Sequence, residues 1–150
     1  MIYTPTQMIH DALTAQGIRC LIRENEKYSF VQVSYNGENY THLDINFISN
    51  SDQNDVSVRT SGLARVPNNR LAAIREVINE CNRRYRYIKL VINDERNVTA
   101  EYDMLLSANS DTLGENAAEV CSRFANIIDK VYPEIMRAIY AEFVVDPEAQ

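Results

Sequence analysis

Glycine is scarce in this chain, four in 150 residues. That is too few for the loops that cradle phosphate through close backbone approach, and no GxGxxG, P-loop or GxSxG pattern occurs. Cysteine is sparse too. Cys20, Cys81 and Cys121 are odd in number, far apart and without a CxxC spacing, so a disulfide framework is excluded and buried free thiols in a reducing compartment are expected. His10 and His42 have no partner at metal-ligand spacing, which leaves a metal site without support. No apolar run approaches the roughly 18 residues of a membrane helix. The start, MIYTPTQMIHDAL, lacks the basic and uninterrupted apolar regions of a signal peptide. A cytoplasmic protein with no membrane partner is expected.

What is present suits one globular domain over residues 1–150, with 45% hydrophobic and 24% charged residues. The net charge of -6 and pI near 4.9 oppose binding to nucleic acid, itself a polyanion, and favour a basic partner.

Helix signals open the chain. Thr4 as N-cap, Pro5 at the first position and Gln7 completing a capping box predict a helix with the stripe Met8, Ile9, Ala12 and Leu13, stopped by Gly17. Strands are predicted over 18–23, 28–35 and 40–48, the last two joined by a tight Asn36-Gly37 turn, and a short one over 56–60. In the third, Leu43, Ile45 and Phe47 alternate with Asp44 and Asn46, the pattern of an antiparallel sheet wet on one face. Residues 61–67 lead into a helix capped by Asn68 or Asn69, whose stripe is Leu71, Ile74, Ile78 and Cys81. Strands over 88–92 and 98–106 flank the polar turn 93–97. After a loop over 107–112, Thr112 and Glu115 form a capping box for a helix running from 115 to about 143, and Pro133 predicts a kink or a fresh start near Tyr132. A frayed tail over 146–150 is expected. The fold class is α+β, an antiparallel sheet with helices packed on one face, in the order α-β-β-β-(β)-α-β-β-α.

The segment IREVINECNRRYRYIKLVI, the strand VTAEYDMLL and the long last helix resemble the YbjN family, the bacterial sensory transduction regulators, over roughly half the chain. The resemblance implies a fold like that of type III secretion chaperones, which are commonly homodimers binding extended or helical segments of other proteins.

The first functional reading is a non-catalytic, homodimeric chaperone-like protein or regulatory adaptor holding a polypeptide client. The last helix carries more apolar surface than one small sheet covers, so Ile135, Met136, Ile139, Tyr140 and Phe143 are the expected partner-binding residues, and Ile139→Asp should loosen assembly without unfolding the monomer. The second reading is an anion or small-ligand sensor built on Arg83, Arg84, Arg86 and Lys89 with the interleaved Tyr85 and Tyr87. A role in balancing the helix end and packing on apolar surface competes with it. Asn79 and Asn82, at i and i+3, are expected to pin backbone where helix meets hairpin, with ligand orientation as the alternative. An enzyme would need Glu101, Asp103 or a cysteine to meet His42; no catalytic residue or cofactor is assigned.

Overall fold

The computed structural model describes residues 1–106 and 111–141. Phe143, the expected frayed tail and most of the loop over 107–112 lie outside the described residues.

The first helix, α1 (Thr4–Ala15), begins one residue earlier than its sequence signals suggest, with extended Tyr3 as the N-cap and no capping side chain of its own. Asp52, from a distant loop, accepts the Thr4 N–H at 2.7 Å instead, which holds its carboxyl below the usual range. Gln7 makes no capping box; its amide donates to Asp11 at 2.8 Å. The helix ends at Gly17, whose φ of 77° only glycine takes without strain.

Seven strands form one antiparallel sheet: β1 (Leu21–Glu24), β2 (Ser29–Tyr35), β3 (Leu43–Ser49), β4 (Asp55–Thr60), β5 (Ala64–Arg65), β6 (Lys89–Ile92) and β7 (Asn97–Leu105). The first four pair in succession, β7 follows β4, and β6 folds back onto the other edge of β7. β5 continues the line of β4 along the same edge. Arg59 faces Glu101 while Ala64 faces Val98, so two extra residues bulge out between them. Thr60 fills the gap, its hydroxyl accepting the Ala100 N–H at 2.9 Å.

Alternation sorts the two faces. Val31, Val33, Leu43, Ile45, Phe47, Val56, Val58 and Ala100 are buried beneath the helices. The other face carries a polar row in register, Gln32, Asn46, Arg59 and Glu101, linked from Gln32 to Asn46 at 3.2 Å and from Arg59 to Glu101 at 3.6 Å. α1 lies over β1 to β3 and α2 (Leu71–Arg84) beside β6; α3 (Leu113–Tyr140) packs against both helices. Asn68 and Asn69 form a 3-10 turn ahead of α2 rather than its cap.

Two expectations need correcting, and one contact explains both. α3 continues through Pro133, with no fresh helix starting near Tyr132. Proline has no N–H to give the carbonyl of Asp129, four residues earlier. Asn39 supplies the missing donor, its side-chain amide reaching that carbonyl at 3.0 Å. The Asp129 carboxylate meanwhile accepts the N–H groups of Asn39 at 2.7 Å and Tyr40 at 3.0 Å, and these bonds lower its pKa. The chain from 36 to 42 is therefore a wrapped loop docked on α3, with Tyr40 edge-on to Tyr132 at 4.8 Å, and β3 starts at Leu43. Gly37 is required because a Cβ there would lie 2.2 Å from the Asp129 carboxylate.

The surplus apolar stripe of α3 is spent inside the monomer. Phe124, Ile128, Val131 and Ile135 are fully buried and Ile139 is 9% exposed. Ile135 and Ile139 are thus core residues, not contacts for a partner; Met136 is half-buried and Tyr140 exposed. Ile139→Asp is expected to destabilise the monomer itself, and Ile135→Ala to cost about 2–5 kcal/mol, both read from denaturant melts.

The docked loop yields a second expectation. A carboxylate whose folded pKa is depressed stabilises above its ordinary value and loses that contribution as pH falls through the folded one. Asp129→Asn should therefore flatten part of the acid decline in melting temperature, relative to the wild type, on titration below pH ~4. Asn39→Ala should cost less in a Pro133→Ala background, where residue 133 again donates to the Asp129 carbonyl.

Candidate functional site

Where α2 ends, Arg83 and Arg84 are its last residues and Tyr85 turns extended. The side chain of Asn82 then acts like a short strand, its Oδ1 accepting the Leu90 N–H at 2.8 Å and its Nδ2 donating to the Leu90 carbonyl at 3.0 Å. Lys89 reaches back, its Nζ donating to the carbonyls of Asn82 at 2.8 Å and Tyr85 at 2.9 Å, which satisfies and neutralises the helix end. Between these anchors the chain must reverse within a few residues. It does so at Tyr87, where φ is 70° and the Ile88 N–H donates to the Arg86 carbonyl at 2.8 Å. This is the strained form of the γ-turn, and a bulky residue there costs about 1–3 kcal/mol. Tyr87 is held by Tyr102, edge-on at 6.2 Å, and by the Arg123 guanidinium 5.3 Å above its ring.

The turn carries the chain out of the sheet and opens a groove. β6 pairs with β7 only as far as Glu101, so on that edge Tyr102 to Leu105 have no strand partner among the described residues. Backbone direction alternates along β7. The N–H groups of Ala100 and Leu106 point to the β4 side, to Thr60 and Asn54, and those of Asp103 and Leu105 therefore face the open edge. The groove beside it, about 540 Å³, has Tyr102, Met104, Ile88 and Val120 as its apolar lining, with Glu119 and Arg123 of α3 at the rim. Glu119 and Arg123 pair at 3.0 Å. Leu105 stands 86% exposed at the open end.

The cations of the expected Arg/Tyr cluster do not converge on one point. Arg83 pairs with Glu80 at 2.9 Å, Arg84 with Glu134 at 3.1 Å while stacking on Tyr85, and Lys89 is engaged as described. Arg86 is exposed. Opposite charges along the helix end absorb the cations. Asn79 is exposed where Asn82 is half-buried, and both line a second cleft with Arg75 and Arg96.

The carboxylates Glu101 and Asp103 do share one face, but it is the open polar face, where Arg59 holds both, at 3.6 and 2.8 Å. Burial pushes the Cys121 thiol up to about 12, and burial with a hydrogen bond to Glu134 takes Cys81 to about 11. Neither is a thiolate at neutral pH, so neither is a ready nucleophile. His42 sits in the docked loop at φ 57°. Reasoning from sequence missed the β7 edge, since the length of β6 depends on a turn at Tyr87 that no glycine or asparagine announces.

Fold and groove together define a small α+β binding scaffold. The chain belongs to the YbjN family, described as "Putative bacterial sensory transduction regulator", whose model matches residues 5–137. A crystal structure of YbjN, "a putative transcription regulator from E. coli", is similar with a TM-score of 0.53 at 15% identity, over 85% of this chain and 88% of that one. At such identity the likeness shows the fold. No curated protein matches the chain. No helix among the described residues is long and apolar enough to cross a membrane.

Asn82→Ala is expected to cost about 1–3 kcal/mol, since Leu90 loses both partners, and to raise amide exchange at Leu90 and Ile88 ahead of β7. Hydrogen-exchange NMR with a urea melt checks it.

Proposed function

We propose that this protein is a non-catalytic regulatory adaptor that holds an extended polypeptide segment by adding it to the open edge of β7. The observation that carries the reading is that edge: backbone groups of Asp103 and Leu105 facing a groove with an apolar floor. A strand laid in line with β6 receives main-chain hydrogen bonds for affinity, and its alternate side chains enter the space lined by Met104 and Val120. The acidic chain, net -6, favours a segment with basic residues on its outward face. The salt-bridged carboxylates and the raised thiols support the non-catalytic reading. The homodimer implied by the family resemblance has a natural route here, through the same edge of a second copy.

Selection of a displayed library of linear peptides on the protein is expected to return segments with apolar residues at every second position. Their binding should shift the amide signals of Asp103 and Leu105. Leu105→Pro removes an edge donor without touching a β4 ladder bond and should weaken the selected peptides by about tenfold or more. Unchanged affinity in a folded Leu105→Pro, or no selected peptide at all, overturns the reading.

A further inference from the structure

A second cleft, of about 500 Å³, lies between α2 and the turn joining β6 to β7. It is separate from the groove and from the Arg/Tyr cluster. Three features bear on what it could hold. On α2, Arg75, Asn79 and Asn82 follow at i, i+4 and i+7, one face of the helix, above the apolar Ile78 and Ile92. From the turn comes Arg96, half-buried, whose side chain lines the cleft together with Arg75.

The backbone at Arg96 adds an independent observation. Its φ is 62°, the left-handed position of a turn where glycine is the ordinary occupant. The turn is closed by the Arg96 N–H to the Asn93 carbonyl at 3.0 Å and the Asn97 N–H to Asn93 Oδ1 at 2.9 Å. Val66 N–H ties down the Arg96 carbonyl at 2.8 Å. The strained residue is thus fixed from several sides, and its side chain is delivered to the cleft wall.

We infer that this cleft binds a small phosphomonoester, with Arg96 and Arg75 receiving the phosphoryl oxygens and Asn79 adding an amide donor. Asn82 and Asn93 are already occupied by backbone and serve as frame. Asp94 also lines the cleft, so two guanidiniums face one carboxylate and the balance favours an anion. The volume exceeds what phosphate alone fills and lies in the range of metabolite sites, and Ile78 and Ile92 offer apolar contact to an organic remainder.

The test is titration of the full chain with inorganic phosphate and with glycerol 3-phosphate, against chloride at matched ionic strength, followed by NMR of backbone amides and arginine Nε–H groups. Glycerol 3-phosphate should shift Arg96, Arg75 and Asn79 saturably, inorganic phosphate should shift the same groups more weakly, and chloride should not. Arg96→Gly suits the left-handed backbone, so it should fold at least as well as the wild type while losing affinity on the order of tenfold or more. Arg75→Gln, an exposed helix position, should fold normally and lose a similar factor. Equal response to chloride, shifts elsewhere, or wild-type affinity in both variants overturns the assignment. Inorganic phosphate binding as tightly as the ester would overturn the phosphomonoester class and leave a bare oxyanion site.

Discussion

The Asn82 amide, bonded to both backbone groups of Leu90, is the constraint on which the functional half of this molecule depends. It makes the end of α2 and the start of β6 one rigid corner. With Lys89 folded back on the helix carbonyls, only Tyr85 to Ile88 remain to turn the chain, and a left-handed Tyr87 is how they do it. β6 is short for that reason, and the edge of β7 beyond Glu101 has no strand partner among the described residues for that reason. A looser corner would let β6 extend along β7 and close the groove with the protein's own strand.

The other end of α3 shows how a local defect becomes a tertiary contact. Pro133 frees a carbonyl that water or a side chain must satisfy, and Asn39 does so within a continuous helix. The same loop places two N–H groups on the Asp129 carboxylate. A single helical residue thereby receives three bonds from one loop, and that loop links β2 to β3. The long helix is tied to the sheet by polar contacts at this point and by the burial of Phe124, Ile128 and Ile135 elsewhere.

Periodicity made most of this architecture legible. Alternation in residues 43–47 and the three-four spacing of Ile74, Ile78 and Cys81 are local patterns, and the structure buries these residues. The family was legible for the same reason, carried by the α2 to β7 segment. What failed were inferences in which a distant partner overrode a local signal: Thr4 is capped by Asp52, Asn36-Gly37 is opened by Asp129, and Pro133 is rescued by Asn39. The partner-binding stripe failed differently. The apolar surplus of α3 admitted burial by another helix or by a partner, and the pattern alone could not weigh them; two helices pack on α3, and Ile135 and Ile139 lie in the core they close. The arginine cluster failed because sequence adjacency is not convergence: its cations found Glu80, Glu134 and helix carbonyls, whereas Arg75 and Arg96, far apart in sequence, line one cleft.

Strain has a telling distribution. Among the described residues, positive φ outside glycine occurs at His42, Tyr87 and Arg96. His42 belongs to the loop docked on Asp129, and its N–H is held by Asn36 at 2.8 Å, so its conformation follows from packing. Tyr87 and Arg96 bracket β6, one at the groove and one at the cleft. A glycine at either place would fold with less strain, yet a tyrosine at the first supplies the aromatic lip, and an arginine at the second supplies a cation on the cleft wall. Side chains are what these two positions contribute, and both point to surfaces where another molecule would find them.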